Sequence, residues 1–439
     1  MKKNLVLILV LFSLLSCKLE IGTSEVLDMG DILSAKDNLA LLYLEDSLII
    51  SEEELEQEVL SFASSRFSSF RNAKTVGEKF SFAQVKIPHT SIYPNGRNIS
   101  QQEETIEIYL MPILEGLNPC GYALVTQDKR LGSILFITKE TSFSTEEDNP
   151  FLDLFMPYVQ SYAENQLKCY YEITEEDIEV AKEKQKLVKN SSSQWTLCEE
   201  ITQGALPTSW KQTSPYNDVV NTIKGKNYFA GCVGVAIAQI MAKHRYPLSC
   251  SLAPYKNENY DWDAILAEKT VTRNTKEAFQ VGMLLYEIGH YAKLDYQSQA
   301  TGGYSKDVAP CFRTLGFKTP KALTNYNLEL IKKSLKNGNP VFVAGYAQKS
   351  TFSVFGLPIF NFYDNGHAWV IDGYLKRQNS QTGKIEEYVY CNPGWGSYFN
   401  GYYLNSLFDF DSYLATLSES SRNSYFFQHG LKILSDVSR

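Results

Sequence analysis

Gly231-Cys232-Val233-Gly234-Val235-Ala236-Ile237-Ala238-Gln239-Ile240-Met241-Ala242-Lys243-His244 is apolar nearly all round. A stretch of that kind makes a buried helix, and it must stop before Pro247, which cannot continue the hydrogen-bond ladder. Cys232 falls in its first turn, directly after Gly231 and the loop residues Lys224-Gly225-Lys226. A helix N-terminus carries about half a positive charge and favours a thiolate over a thiol. A cysteine in that position is either a small core residue or a nucleophile. The rest of the chain has to decide between the two.

A nucleophilic thiolate needs a partner that holds its proton and returns it to a leaving group. The chain has five histidines. His244 shares the helix of Cys232, and twelve residues at the helical rise put it about 18 Å away, out of reach. His89 belongs to the amino-terminal part, His429 sits in a polar-aromatic tail, and His290 follows Gly289 at an expected helix end. His367 stands apart. It follows the turn-like Asp364-Asn365-Gly366 and opens the expected strand His367-Ala368-Trp369-Val370-Ile371-Asp372-Gly373-Tyr374. A further strand, Tyr388 to Cys391, leads into Asn392-Pro393-Gly394-Trp395-Gly396 and then Gly401 to Leu404. An amide in that turn would accept a histidine N–H, and an indole would shield the bond from water.

Upstream, Ser51-Glu52-Glu53-Glu54 forms a capping box, and Leu55, Val59, Leu60, Phe62 and Phe67 follow at helical spacing. Strands are expected at 80–87, 105–110, 121–126 and 133–138, with a turn at Gln127-Asp128-Lys129-Arg130 and a helix over 151–171. This pattern predicts a small α+β domain, with helices packed on an antiparallel sheet. Residues 172–194 are rich in Glu and Lys and end in Asn190-Ser191-Ser192-Ser193, which reads as a linker open to cleavage.

Lys2 and Lys3 precede an apolar run from Leu5 to Leu15, too short for the ~20 residues a membrane span requires. The run fits an export signal, and Leu14-Leu15-Ser16-Cys17 resembles a bacterial lipobox whose Cys17 would carry acyl chains. The expected division is therefore 1–17 leader, 18–190 amino-terminal domain and linker, and 191–439 second domain. The 439 residues are 44% hydrophobic and 13% aromatic, with net charge -8, which argues against a nucleic-acid surface. Eight cysteines include no Cys-x-x-Cys, and no His-Glu-x-x-His occurs, so neither a zinc nor another cofactor is expected.

The ordered motifs together resemble the streptopain family of papain-like cysteine peptidases. They are Gly231-Cys232-Val233 with Ala238-Gln239-Ile240-Met241, then Gly366-His367-Ala368-Trp369-Val370-Ile371-Asp372-Gly373, then Asn392-Pro393-Gly394-Trp395-Gly396. Trp210 to Asn217, Tyr260-Asp261-Trp262 and Gly302-Gly303-Tyr304-Ser305 fit as well, so the resemblance covers most of 200–405. Gly121 to Val125 and Asp128-Lys129-Arg130 resemble the family's inhibitory propeptide.

The resemblance implies a papain-like two-part catalytic domain, with Cys232 on a helical side and His367 on a β-barrel side. It makes Cys232 the nucleophile and His367 the general base and acid, with Gln212 sharing an oxyanion hole with the Cys232 N–H. The substrates would be proteins or peptides, with a hydrophobic residue favoured one position before the scissile residue, and the prodomain would inhibit within the chain. One departure stands out. The family has Trp where this chain has Pro393, which leaves Asn392 or Trp395 to orient His367. A transglutaminase-type acyltransferase and an inactive papain-like binding protein share enough of this logic to stand as rivals.

Overall fold

The computed structural model describes residues 33–66, 75–87, 104–139, 150–187, 195–297, 301–354, 357–380, 382–409 and 431–439, with backbone alone at 66, 150–154 and 347–365. The leader, Cys17, His89, His429, Phe67 and most of the expected cleavage region lie outside these residues.

Helix α1 (Ala35–Leu41) opens on a reciprocal capping box between Ser34 and Asp37. Helix α2 (Glu52–Arg66) starts where Ser51 Oγ accepts the Glu54 N–H, and it buries Leu55, Val59 and Phe62. Strands β1 (Thr75–Val76), β2 (Phe80–Ile87), β3 (Glu104–Glu115), β4 (Asn118–Val125) and β5 (Ile134–Thr138) form an antiparallel sheet covered by helix α3 (Pro150–Tyr171). Helix α4 (Glu175–Gln185) follows, again with a capping box, made by Thr174 and Asp177. Ion pairs Lys184–Asp37 and Lys36–Asp177 fix it to α1.

After β6 (Trp195–Ile201) the chain becomes helical: α5 (Asp218–Lys224), α6 (Cys232–His244), α7 (Trp262–Ile265) and α8 (Lys276–Tyr291). The hairpin β7 (Asp295–Tyr296) and β8 (Thr301–Gly302) precedes α9 (Ser305–Thr314). Helix α6 forms the centre of this half. Val235, Ile237, Ile240 and Met241 lie in a core with Trp210, Val281, Leu285, Ile288 and Phe312. Each such side chain contributes about 1.5–3 kcal/mol by leaving water.

The remaining strands are β9 (Thr324–Asn325), β10 (Val341–Val354), β11 (Leu357–Asn379), β12 (Ile385–Asn392), β13 (Gly401–Leu404) and β14 (Lys432–Leu434), with helix α10 (Leu328–Lys336) packed against β11. Here one expectation fails. Asp364 to Gly366 is no turn: β11 runs straight through it, with Asp364 opposite Gln348 and Gly366 opposite Tyr346. The continuous ladder offered by β10 outweighs the local turn preference of Asp-Asn-Gly.

The two halves of the molecule share one sheet. Its order is β1-β3-β4-β5-β13-β12-β11-β10-β14-β9, with β2 on β3 and β6 on β11. The seam is the pairing of Tyr402 and Tyr403 with Ile137 and Phe136. Gly401 permits it, since a Cβ there would stand 2.4 Å from the Ile137 carbonyl oxygen. Thr138 Oγ1 donates to the Asn400 carbonyl at 2.7 Å, and the Tyr388 hydroxyl donates to the Ile134 carbonyl at 3.1 Å. The architecture is thus α+β, a helical half bearing Cys232 beside an antiparallel β half bearing His367. The amino-terminal α+β unit continues the same sheet.

Candidate active site

Gly231 has φ +89°, and a side chain there would meet Thr301 at 2.8 Å. That glycine bends the chain sharply into α6 and puts Cys232 at its first residue, half-buried. Cys232 and His367 lie close enough to shift each other's ionisation. Burial pushes the Cys232 thiol up. The charge of His367, with the backbone N–H groups of Ala368 and Val233, outweighs burial and holds the thiol below its usual value. Burial lowers the His367 imidazole, but the charge of Cys232, together with the Pro393 carbonyl, lifts it above its ordinary range. Both directions favour a thiolate–imidazolium pair.

The second ring nitrogen settles the tautomer. His367 Nε2 lies 2.8 Å from the Pro393 carbonyl oxygen, which can only accept, so Nε2 carries a proton. The pairing with Cys232 therefore falls to Nδ1. Trp395 stacks on the imidazole at 5.6 Å and 10°, and Trp369 lies on the same ring system at 6.4 Å and 13°.

Among the residues singled out in the sequence, Cys232, His367 and Trp395 are brought together. Gln212 is buried beside them. Its carbonyl accepts the Ala230 N–H at 2.8 Å, next to the approach to Cys232, while its neighbour Lys211 forms a bridge with Trp395. Asn392 is close but differently engaged. Its Nδ2 donates to the Thr208 carbonyl and to Gln239 Oε1, and its Oδ1 accepts from Gly394 N–H and Gln239 Nε2. The Asn392 amide is engaged in this network, and the bond to the imidazole comes from the next residue's backbone. Sequence reasoning could not find that acceptor, because a main-chain carbonyl carries no residue signature. Gln239 had one: a single polar residue in an apolar helix, which burial obliges to pair.

The Peptidase C10 family model matches residues 210–403, the segment holding the whole of this arrangement. Over that segment the chain resembles the C10 peptidases. It is 23% identical over 322 residues to streptopain of Streptococcus pyogenes serotype M28 (strain MGAS6180), covering 64% of this chain and 71% of that one. It is 24% identical over 226 residues to the thiol protease/hemagglutinin PrtT of Porphyromonas gingivalis, covering 46% and 23%. A solved fragment of Prevotella intermedia prointerpain A gives a TM-score of 0.47 at 20% identity, over 80% of this chain and 98% of that one.

The chain is a cysteine peptidase. The described residues hold no group of three or more His, Cys, Asp or Glu arranged for a metal, and no helix long and apolar enough to cross a membrane.

Proposed function

We propose that this chain is the precursor of an exported cysteine endopeptidase that works through a Cys232–His367 ion pair. The observation that carries this reading is the pairing of Cys232, at the first turn of a buried helix, with His367, whose Nε2 the Pro393 carbonyl holds at 2.8 Å. The Cys232 thiolate attacks a peptide carbonyl carbon, giving a tetrahedral oxyanion. The Cys232 backbone N–H, unpaired within the helix at its first turn, and the Gln212 amide stabilise that charge. One such donor is worth on the order of 3 kcal/mol in the transition state. His367 Nδ1–H gives its proton to the leaving amine as the C–N bond breaks, leaving a thioester. Neutral His367 then takes a proton from water, the thioester is hydrolysed, and the dyad is restored.

Residues 18–190 act as an inhibitory prosegment, and cleavage near Lys184 to Ser193 frees residues 191–439. The prosegment acts on access to the cleft. Residues 1–17 direct export, and acylated Cys17 anchors the precursor to a membrane. Cleavage then separates the enzyme from that anchor.

The test is a paired incubation of wild-type and Cys232→Ala precursor, following intact mass and casein hydrolysis. Shortening near residues 184–195 with a gain of activity in the wild type alone supports the reading. A linker cut by added protease that yields no hydrolysis contradicts it, and amine incorporation exceeding hydrolysis points to an acyltransferase.

A further inference from the structure

Gln239 lies seven residues beyond Cys232, two helical turns along and on the same face of α6. It is fully buried. Its Oε1 accepts from Thr208 Oγ1 at 3.2 Å, from the Trp210 N–H at 3.1 Å and from Asn392 Nδ2 at 3.1 Å. Its Nε2 donates to Asn392 Oδ1 at 3.1 Å, completing a reciprocal amide pair. Asn392 extends the network to the Thr208 carbonyl at 3.0 Å and the Gly394 N–H at 3.1 Å.

Three pieces of chain meet at this one amide. The first is the helix that begins with Cys232. The second is the 208–212 segment that ends in Gln212. The third is the turn at 392–396, whose Pro393 carbonyl holds His367 and whose Trp395 stacks on it. A second polar tie binds the same parts further down. Lys243 Nζ donates to the Gln203 and Ala205 carbonyls, while Asp372 on β11 accepts the Leu206 N–H.

We propose that Gln239 is a positioning residue for the reaction, setting nucleophile, oxyanion amide and imidazole in register through its pairing with Asn392. The proposal rests on the peptidase reading above. Only an amide suits the place. A glutamate has no donor for Asn392 Oδ1, and an apolar side chain leaves the Trp210 N–H buried without its acceptor and takes one hydrogen bond from each Asn392 group. Errors of about 1 Å in such register are enough to cost two orders of magnitude in rate.

The experiment compares processed wild type with Gln239→Leu and with the double variant Gln239→Leu/Asn392→Leu, reading Tm, kcat, KM and the pH midpoint of the acid limb of kcat/KM. Replacing both amides removes the reciprocal pair and also takes the partner of the Thr208 carbonyl and the Gly394 N–H, so the double variant should lose at least as much Tm as the single one. We expect kcat to fall about tenfold or more in both variants, with KM within about twofold and the acid limb raised by about one pH unit. A double variant that keeps the wild-type kcat and acid limb overturns the proposal, as does a Gln239→Leu enzyme that loses Tm alone. If Gln239→Leu does not fold, Thr208→Val removes one donor and reads the same quantities, with a loss of about two- to threefold in kcat expected. Unchanged kcat and acid limb in that variant contradict it. A wild type that hydrolyses nothing strikes the peptidase reading itself, whereas an active wild type with unaltered variants strikes only Gln239.

Discussion

His367 Nε2 sits 2.8 Å from the carbonyl oxygen of Pro393, so the imidazole is oriented by main chain rather than by an amide side chain. This accounts for the departure at Pro393. The position that lacks the family's indole supplies a carbonyl, which proline has in common with every other residue. Trp395, two residues on, covers the ring instead.

Substitutions at the two positions should therefore separate. Pro393→Ala keeps the carbonyl, and kcat/KM is expected to stay within about threefold of wild type. Trp395→Ala exposes the His367 bond to water and is expected to cost about tenfold or more in kcat. Steady-state kinetics on the processed enzyme checks both, and a reversed order would place the orienting contact elsewhere.

The seam between the amino-terminal unit and the rest of the sheet should fail at Gly401. A Cβ there meets the Ile137 carbonyl oxygen at 2.4 Å, while one at Gly302 meets nothing within 4 Å. Gly401→Ala is expected to destabilise the precursor by about 1–3 kcal/mol and to speed proteolysis of residues 104–139. Gly302→Ala serves as the control and should leave denaturant midpoints nearly unchanged.

Asp372 gives a stability test with a definite sign. Burial raises its carboxyl to about 7, while the Leu206 N–H and more distant lysines only partly oppose this. The folded protein thus keeps that proton up to about pH 7, whereas the unfolded chain releases it near its usual value of about 4. Stability is gained below the unfolded value and lost as pH rises through the window between the two. Asp372→Asn removes this term. Denaturant titrations at about pH 5 and about pH 8 should show the wild type losing at least about 1 kcal/mol more than the variant.

Much of this was legible in the sequence because the decisive residues carry their own chemistry. Cys232 in the first turn of an apolar helix, and His367 before an aromatic run, are residue types that a nucleophile and a base require. The α+β organisation was legible for a similar reason, since alternation at 80–87 and 105–110 and the capping box at Ser51 are local patterns. What the sequence hid depends on partners distant in the chain. The turn expected at Asp364 to Gly366 yields to a ladder with β10, and the joining of the two sheets through Tyr403 and Phe136 has no local mark. Asn392 looked like the orienting amide, but Gln239, 153 positions away, had already claimed it.

The central claim is that His367 holds Cys232 as a thiolate, and the pH dependence of Cys232 alkylation by iodoacetamide tests it most directly. The Cys232 pKa is depressed and the His367 pKa raised, so alkylation should set in well below the ordinary thiol value of about 8.5. In His367→Gln, with the imidazolium removed, the midpoint should move up, since only the Ala368 and Val233 N–H groups then oppose burial. Identical midpoints in the two proteins would contradict the account.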